Sequence, residues 1–190
     1  MTVDESVTVK GSPVRSLQKF IEADLTPQQR DVVFSKLPDE FATRFRAPIL
    51  PTETIPFHML NVITEEAAQA KGEPLDSFAR RAGCAAADEA IKGIYRFFAM
   101  VLTPAALLSK AGQMWRALYN SGELLIEDQT ANSARVAVAN FPSEPAGCSR
   151  LTGWIERMGE LTKTKQFRVE KTKCVTKGDG RCEWQLSWKS

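Results

Sequence analysis

The chain has 190 residues, 43% hydrophobic and 25% charged, with a formal net charge of +2. This fits one globular domain with a real core, and the scattered lysines and arginines, Lys163 to Lys177 included, read as a solvated face. There is no basic stripe with interleaved aromatics and no reading helix, so a nucleic-acid partner is not expected. No charged segment followed by an apolar one opens the chain, and no apolar run reaches about 18 residues; a cytoplasmic protein without a membrane span is expected.

Residues 1–12 show no clear period and read as a flexible arm or an added edge strand, ahead of a single domain over 13–190. From Ser12-Pro13, the residues Val14, Leu17, Phe20 and Ile21 recur at helical spacing, with Ser12 as N-cap and Pro13 at the first helical position. Thr26-Pro27 starts a second helix with Val32, Val33, Phe34 and Leu37 inward. Pro38 interrupts it, and the Asp39–Arg46 segment ends at Ala47-Pro48. Ile49-Leu50-Pro51 must run extended.

Ile55-Pro56 opens the next helix, whose face of Phe57, Leu60, Ile63, Ala67 and Ala70 stops at Gly72. Residues 75–91 form a helix rich in small side chains, among them Ala79, Ala82, Gly83 and Ala86, which permits close helix packing or leaves room for something else. Residues 93–102 are apolar nearly all round and should be buried. Pro104 opens a helix with a wide stripe of Leu107, Leu108, Ala111, Met114, Trp115, Leu118 and Tyr119.

After Gly122 the period changes. Segments 123–130 and 133–141 form a hairpin about Ala131-Asn132, residues 149–161 a helix, and the runs from Phe167 and from Cys182 two half-buried strands around Lys177-Gly178-Asp179-Gly180. The order predicts an α+β fold: an N-terminal helical block packed on a four-stranded antiparallel sheet, with a hairpin-helix-hairpin C-terminal half.

Cys174 and Cys182 flank the last turn and can lie across from each other on one face. Cys148, at the start of the preceding helix, brings a third sulfur to the same place. In a reducing compartment such a cluster reads as a zinc site or as reduced buried thiols, ahead of a disulfide, although Cys174-x7-Cys182 lacks the Cys-x2-Cys knuckle. Glu170 is the nearest carboxylate for a fourth ligand. It stands four residues away on one strand face, about 13 Å at roughly 3.3 Å per residue, so a bulge is required; a solvated strand residue is the alternative.

The stretch Glu144-Pro145-Ala146-Gly147-Cys148-x4-Gly153-Trp154, followed by Glu170-x3-Cys174-x3-Gly178-x3-Cys182, resembles the vinyl-4-reductase-type small-molecule-binding domain. That fold is shared with TRAPP vesicle-tethering subunits and, more distantly, with haem-based NO sensors. The resemblance implies a TRAPP-like architecture and a structural zinc on Cys148, Cys174 and Cys182. The family's glutamate position is Lys171 here, and Glu170 stands one step earlier, on the other strand face unless a bulge corrects it.

The resemblance also implies a homodimer through the N-terminal helices and a sensory role. A small apolar or aromatic molecule or lipid would sit between helices and sheet, and the signal would pass to an unknown protein partner in trans. Phe97, Phe98, Trp115, Tyr119 and Trp154 are the wall residues expected, with ordinary core packing the alternative for each. Haem is not expected: the related sensors hold iron through a histidine, the only histidine here is His58 at a helix start, and the Tyr-x-Ser-x-Arg signature for the propionates is missing. One histidine, no nucleophile-base constellation and no phosphate-cradling glycine loop leave no catalytic machinery, so the chain is not expected to be an enzyme. A TRAPP-like adaptor without a ligand is the second reading.

Overall fold

The computed structural model describes residues 6–92, 103–162 and 164–189. Thr8–Lys10 (β1) pairs antiparallel with Thr54–Pro56 (β2), so the segment read as an arm or an added edge strand carries a strand, with Val7 and Val9 in the core. The first helix, Gly11–Asp24 (α1), begins before the expected Ser12 cap. Its first amides are satisfied by the extended 49–53 segment instead: Gly11 N donates to the Glu53 carbonyl at 2.8 Å and Ser12 N to that of Pro51 at 3.2 Å, so no side-chain cap is needed.

The second helix, Pro27–Lys36 (α2), starts in a capping box between Thr26 and Gln29, and Asp39–Arg46 (α3) follows Pro38. Phe57–Lys71 (α4) ends at Gly72 in the left-handed region, with φ 72°. Leu75–Ala90 (α5) and Pro104–Leu118 (α6) come next; the apolar 93–102 segment, with Phe97 and Phe98, lies outside the described residues. The helix expected over 149–161 is Pro145–Glu160 (α7), longer at its start because Pro145 occupies a first-turn position where no amide is required.

The strands Glu123–Glu127 (β3), Ser133–Ala139 (β4), Lys165–Lys173 (β5) and Cys182–Lys189 (β6) form one antiparallel sheet in the order β3-β4-β6-β5. Its inner face is the period-2 set Ala134, Val136, Val138, Cys182, Trp184 and Leu186, in register as Val136 opposite Trp184 and Val138 opposite Cys182. The α+β arrangement read from the sequence is therefore the one observed.

Helices α5 and α7 run in the same direction and close together, with Ser149 beside Asp76 near their starts and Arg157 beside Asp88 near their ends. A methyl on Gly83 would fall on the Arg150 carbonyl, 2.8 Å from its carbon, and one on Gly153 would fall on the Arg80 carbonyl, 2.7 Å from its carbon. Only glycine allows this approach at both positions. The buried side chains form two clusters, one within the N-terminal helices around Val14, Ile63 and Phe78, the other on the sheet around Trp115, Trp184 and Leu186.

Candidate ligand cavity and thiol cluster

A cavity of about 490 Å³ is bounded by residues of both clusters: Leu17, Phe57 and Leu60 from the helices, Trp115, Val138 and Trp184 from the sheet side. Of the five wall residues expected from the sequence, Trp115, Tyr119 and Trp154 line it. Trp115 and Tyr119 stack with centroids 4.3 Å apart, and the Trp115 indole N–H donates to the Ser121 carbonyl at 3.0 Å. These rings are oriented by their own contacts, so they form a wall with a fixed shape.

Sequence reading missed Arg150. Its position on α7 carries no signal, yet it lines the cavity and reaches across to α4. Nη1 donates to the Leu60 carbonyl at 2.8 Å and to Thr64 Oγ1 at 2.6 Å, and Nη2 donates to Asn61 Oδ1 at 2.7 Å. Burial pushes the guanidinium down to about 10, still protonated at neutral pH.

The three sulfurs meet on the inner face of the sheet. Cys148 Sγ lies 3.5 Å from Cys182 Sγ and 4.0 Å from Cys174 Sγ. A bulge between Lys171 and Lys173 brings this about. Lys171 pairs with Trp184 on the inner face, the extra residue returns Lys173 to the outer face opposite Glu183, and Cys174 then points inward. Glu170, opposite Gln185, is exposed on the other face and does not join the sulfurs. Lys171 does: its ammonium donates to Cys174 Sγ at 3.0 Å.

The thiols divide their charge unequally. The hydrogen bond from Cys148 is the main cause holding Cys182 down at about 5, with Ser143, the Val175 amide and Lys171 adding to it; the same bond pushes Cys148 up. Burial raises Cys174, but hydrogen bonds from Lys171 and Thr176 outweigh it and leave it lowered. The cluster is thus a thiolate site with Lys171 as its cation.

Stability should follow. Cys182 loses its proton near pH 5 when folded and near about 8.5 when unfolded, so its contribution is complete above about 8.5 and lost as the pH falls through 5. Urea midpoints should rise from pH 5 to pH 8 in the wild type, and this rise should shrink in Cys182→Ser. A flat wild-type profile would remove the thiolate.

No protein-family model matches the sequence, and no curated protein matches it. Solved structures do. An H-NOX protein from S. oneidensis in the Fe(II)NO ligation state is similar with a TM-score of 0.73 over 95% of this chain and 99% of that one, at 12% identity. An unliganded Fe(II) H-NOX protein from K. algicida gives 0.70 over 95% of this chain and 97% of that one, at 12% identity. An oxygen-binding H-NOX domain related to soluble guanylate cyclases gives 0.66 over 95% and 93%, at 14% identity. The fold is that of the H-NOX domains.

This likeness overturns the vinyl-4-reductase-type and TRAPP-like identification and the structural zinc that came with it. The Cys148-x4-Gly153-Trp154 spacing that suggested it has a local cause: Gly153 packs on the α5 backbone while Cys148, in the first turn of α7, overlies the hairpin. Lys171 stands against Cys174 where the zinc reading needed a carboxylate.

The exclusion of haem is corrected as well. The similar solved H-NOX structures include Fe(II) and haem proteins, so the lone His58 and the missing Tyr-x-Ser-x-Arg motif do not carry an exclusion of haem. His58 does not line the cavity; its Nδ1 lies 3.2 Å from Glu144 Oε2. The side chains that do line it offer thiol, thioether and phenol to a metal, from Cys148, Cys182, Met114 and Tyr119.

Proposed function

We propose that this protein is a non-catalytic sensory module that holds a small, mostly apolar or aromatic molecule between helices and sheet. Occupancy passes to a protein partner in trans, in the cytoplasm. The observation that carries this reading is the cavity of about 490 Å³ walled by Trp115, Tyr119 and Trp154, which falls within the roughly 300–1,000 Å³ of small-molecule sites. The non-catalytic reading is supported by the single histidine, His58, being paired with Glu144 and not itself lining the cavity.

A ligand held there binds the folded chain only. At a hundredfold excess over Kd it adds about 2.7 kcal/mol, or roughly 5–11 °C in a chain of this size. Thermal melts with naphthol, dodecanol and hemin should show such a shift for at least one of them. Ala111→Phe, which fills the cavity from α6, should abolish it. The absence of any shift in the wild type, or a shift undiminished in Ala111→Phe, would refute the reading.

A further inference from the structure

A second, smaller cavity of about 60 Å³ adjoins the first. Ala111, Met114, Leu124 and Trp154 line both, so the two spaces meet at these residues. Beyond them the smaller one is bounded by Leu108 of α6, Ile155 of α7, Phe167 of β5, and Val136 and Leu186 of the inner sheet face. Its origin is in the packing: α6 rests on β3 while α7 rests on α5 and β5, which leaves a furrow between α6 and α7 over β4 and β6.

The two spaces differ in chemistry. Arg15, Lys19, Glu89 and Glu144 are among the residues lining the large cavity, whereas none of the described residues lining the small one is charged. A water molecule needs two to four polar partners to settle in such a space, and these walls do not supply them, so an apolar group suits it better. At about 60 Å³ it is far below the roughly 300–1,000 Å³ of a whole ligand site, so it fits the end of a molecule whose remainder lies in the large cavity.

The side chains at the junction can yield. Met114 is unbranched and turns about several side-chain bonds. The indole N–H groups of Trp115, Trp184 and Trp188 are fixed by the Ser121 carbonyl, Thr152 Oγ1 and the Ala131 carbonyl, whereas that of Trp154 has no hydrogen-bond partner among the described residues. An unbranched chain displaces these two side chains least; a ring or a branched end displaces them more.

We propose that the small cavity is a subsite for the end of an unbranched alkyl chain, so that the ligand of this protein is an elongated molecule with its polar end in the large cavity and its tail between α6 and α7. This deepens the reading of the large cavity as a ligand site and rests on it.

Straight-chain alcohols from hexanol to tetradecanol test it, titrated at pH 7.5 by displacement of N-phenyl-1-naphthylamine. Each methylene taken out of water is worth about fourfold in affinity, and in the wild type that rise should continue into the longer members. Leu108→Trp, which fills only the small cavity, should leave hexanol unchanged. It should stop the rise about two methylenes earlier, a loss of about fifteenfold for the longest members. Leu107→Phe, on the same wall, should act in the same direction and carries the test if Leu108→Trp does not fold. Equal losses for short and long alcohols, or no loss for any, would overturn the subsite while the large cavity stands; failure of every alcohol to displace the probe would remove both.

Discussion

Gly153→Ala is expected to lower stability by about 3 kcal/mol, a fall in Tm of roughly 6–12 °C in a chain of this length. Glycine to alanine inside a helix ordinarily gains up to about 1 kcal/mol, so the sign itself is informative. The new methyl would meet backbone, the Arg80 carbonyl group and its Cα at 2.8 Å, and backbone cannot rotate away as a flexible side chain can. Helices α5 and α7 must separate, loosening the contact of Cys84 Sγ with the Gly153 carbonyl at 3.3 Å and the Arg157–Asp88 pair at 2.9 Å. Arg150 sits one turn before Gly153 and its backbone rests on Gly83, so its hold on the Leu60 carbonyl and Thr64 across α4 should loosen with the loss of stability. Gly112→Ala is the control: its nearest backbone neighbour, the Leu124 carbonyl, would be 3.1 Å away, and a shift of tenths of an ångström accommodates it. Unchanged or increased stability in Gly153→Ala, read by urea denaturation, would contradict the α5–α7 approach.

The features legible in the sequence are those with a local cause. Thr26-Pro27 announces its helix because the cap and the proline act within one turn. The alternation from Cys182 to Trp188 announces its strand because one face meets the core and the other meets water. The three sulfurs were brought together correctly by topology alone. The fourth position was not, since a bulge after Lys171 flips which residues face inward, and no residue in Lys171-Thr172-Lys173 signals it. Arg150 was invisible for a different reason. An arginine between Ser149 and Leu151 looks solvated; its burial depends on glycines far away in sequence that let α7 lie against α5 and on open acceptors across α4. Family-like spacing misled on the same ground, being the trace of one helix–helix contact rather than of a shared ligand.

Trp184→Ala should cost about 3–5 kcal/mol, or roughly 6–20 °C in Tm. Trp184 is 1% exposed and has the largest volume among the fully buried side chains. Its indole N–H donates to Thr152 Oγ1 at 2.8 Å, and that hydroxyl in turn donates to the Cys148 carbonyl at 2.9 Å. Truncation therefore loses apolar burial, breaks the link between sheet and α7, and leaves Thr152 short of a donor. It also frees Lys171, whose ammonium lies 5.3 Å from the centre of the Trp184 ring while it donates to Cys174. The thiolates should then titrate at higher pH, followed by absorbance near 240 nm. Trp184→Phe keeps an aromatic face for Lys171 but loses the N–H, so it should destabilise less and leave the thiolate titration close to that of the wild type. If Trp184→Ala lowers Tm without moving that titration, Lys171 is held by the thiolates alone and the ring acts only as packing; if both move together, the wall of the cavity and the charge of the thiol cluster are coupled through one side chain.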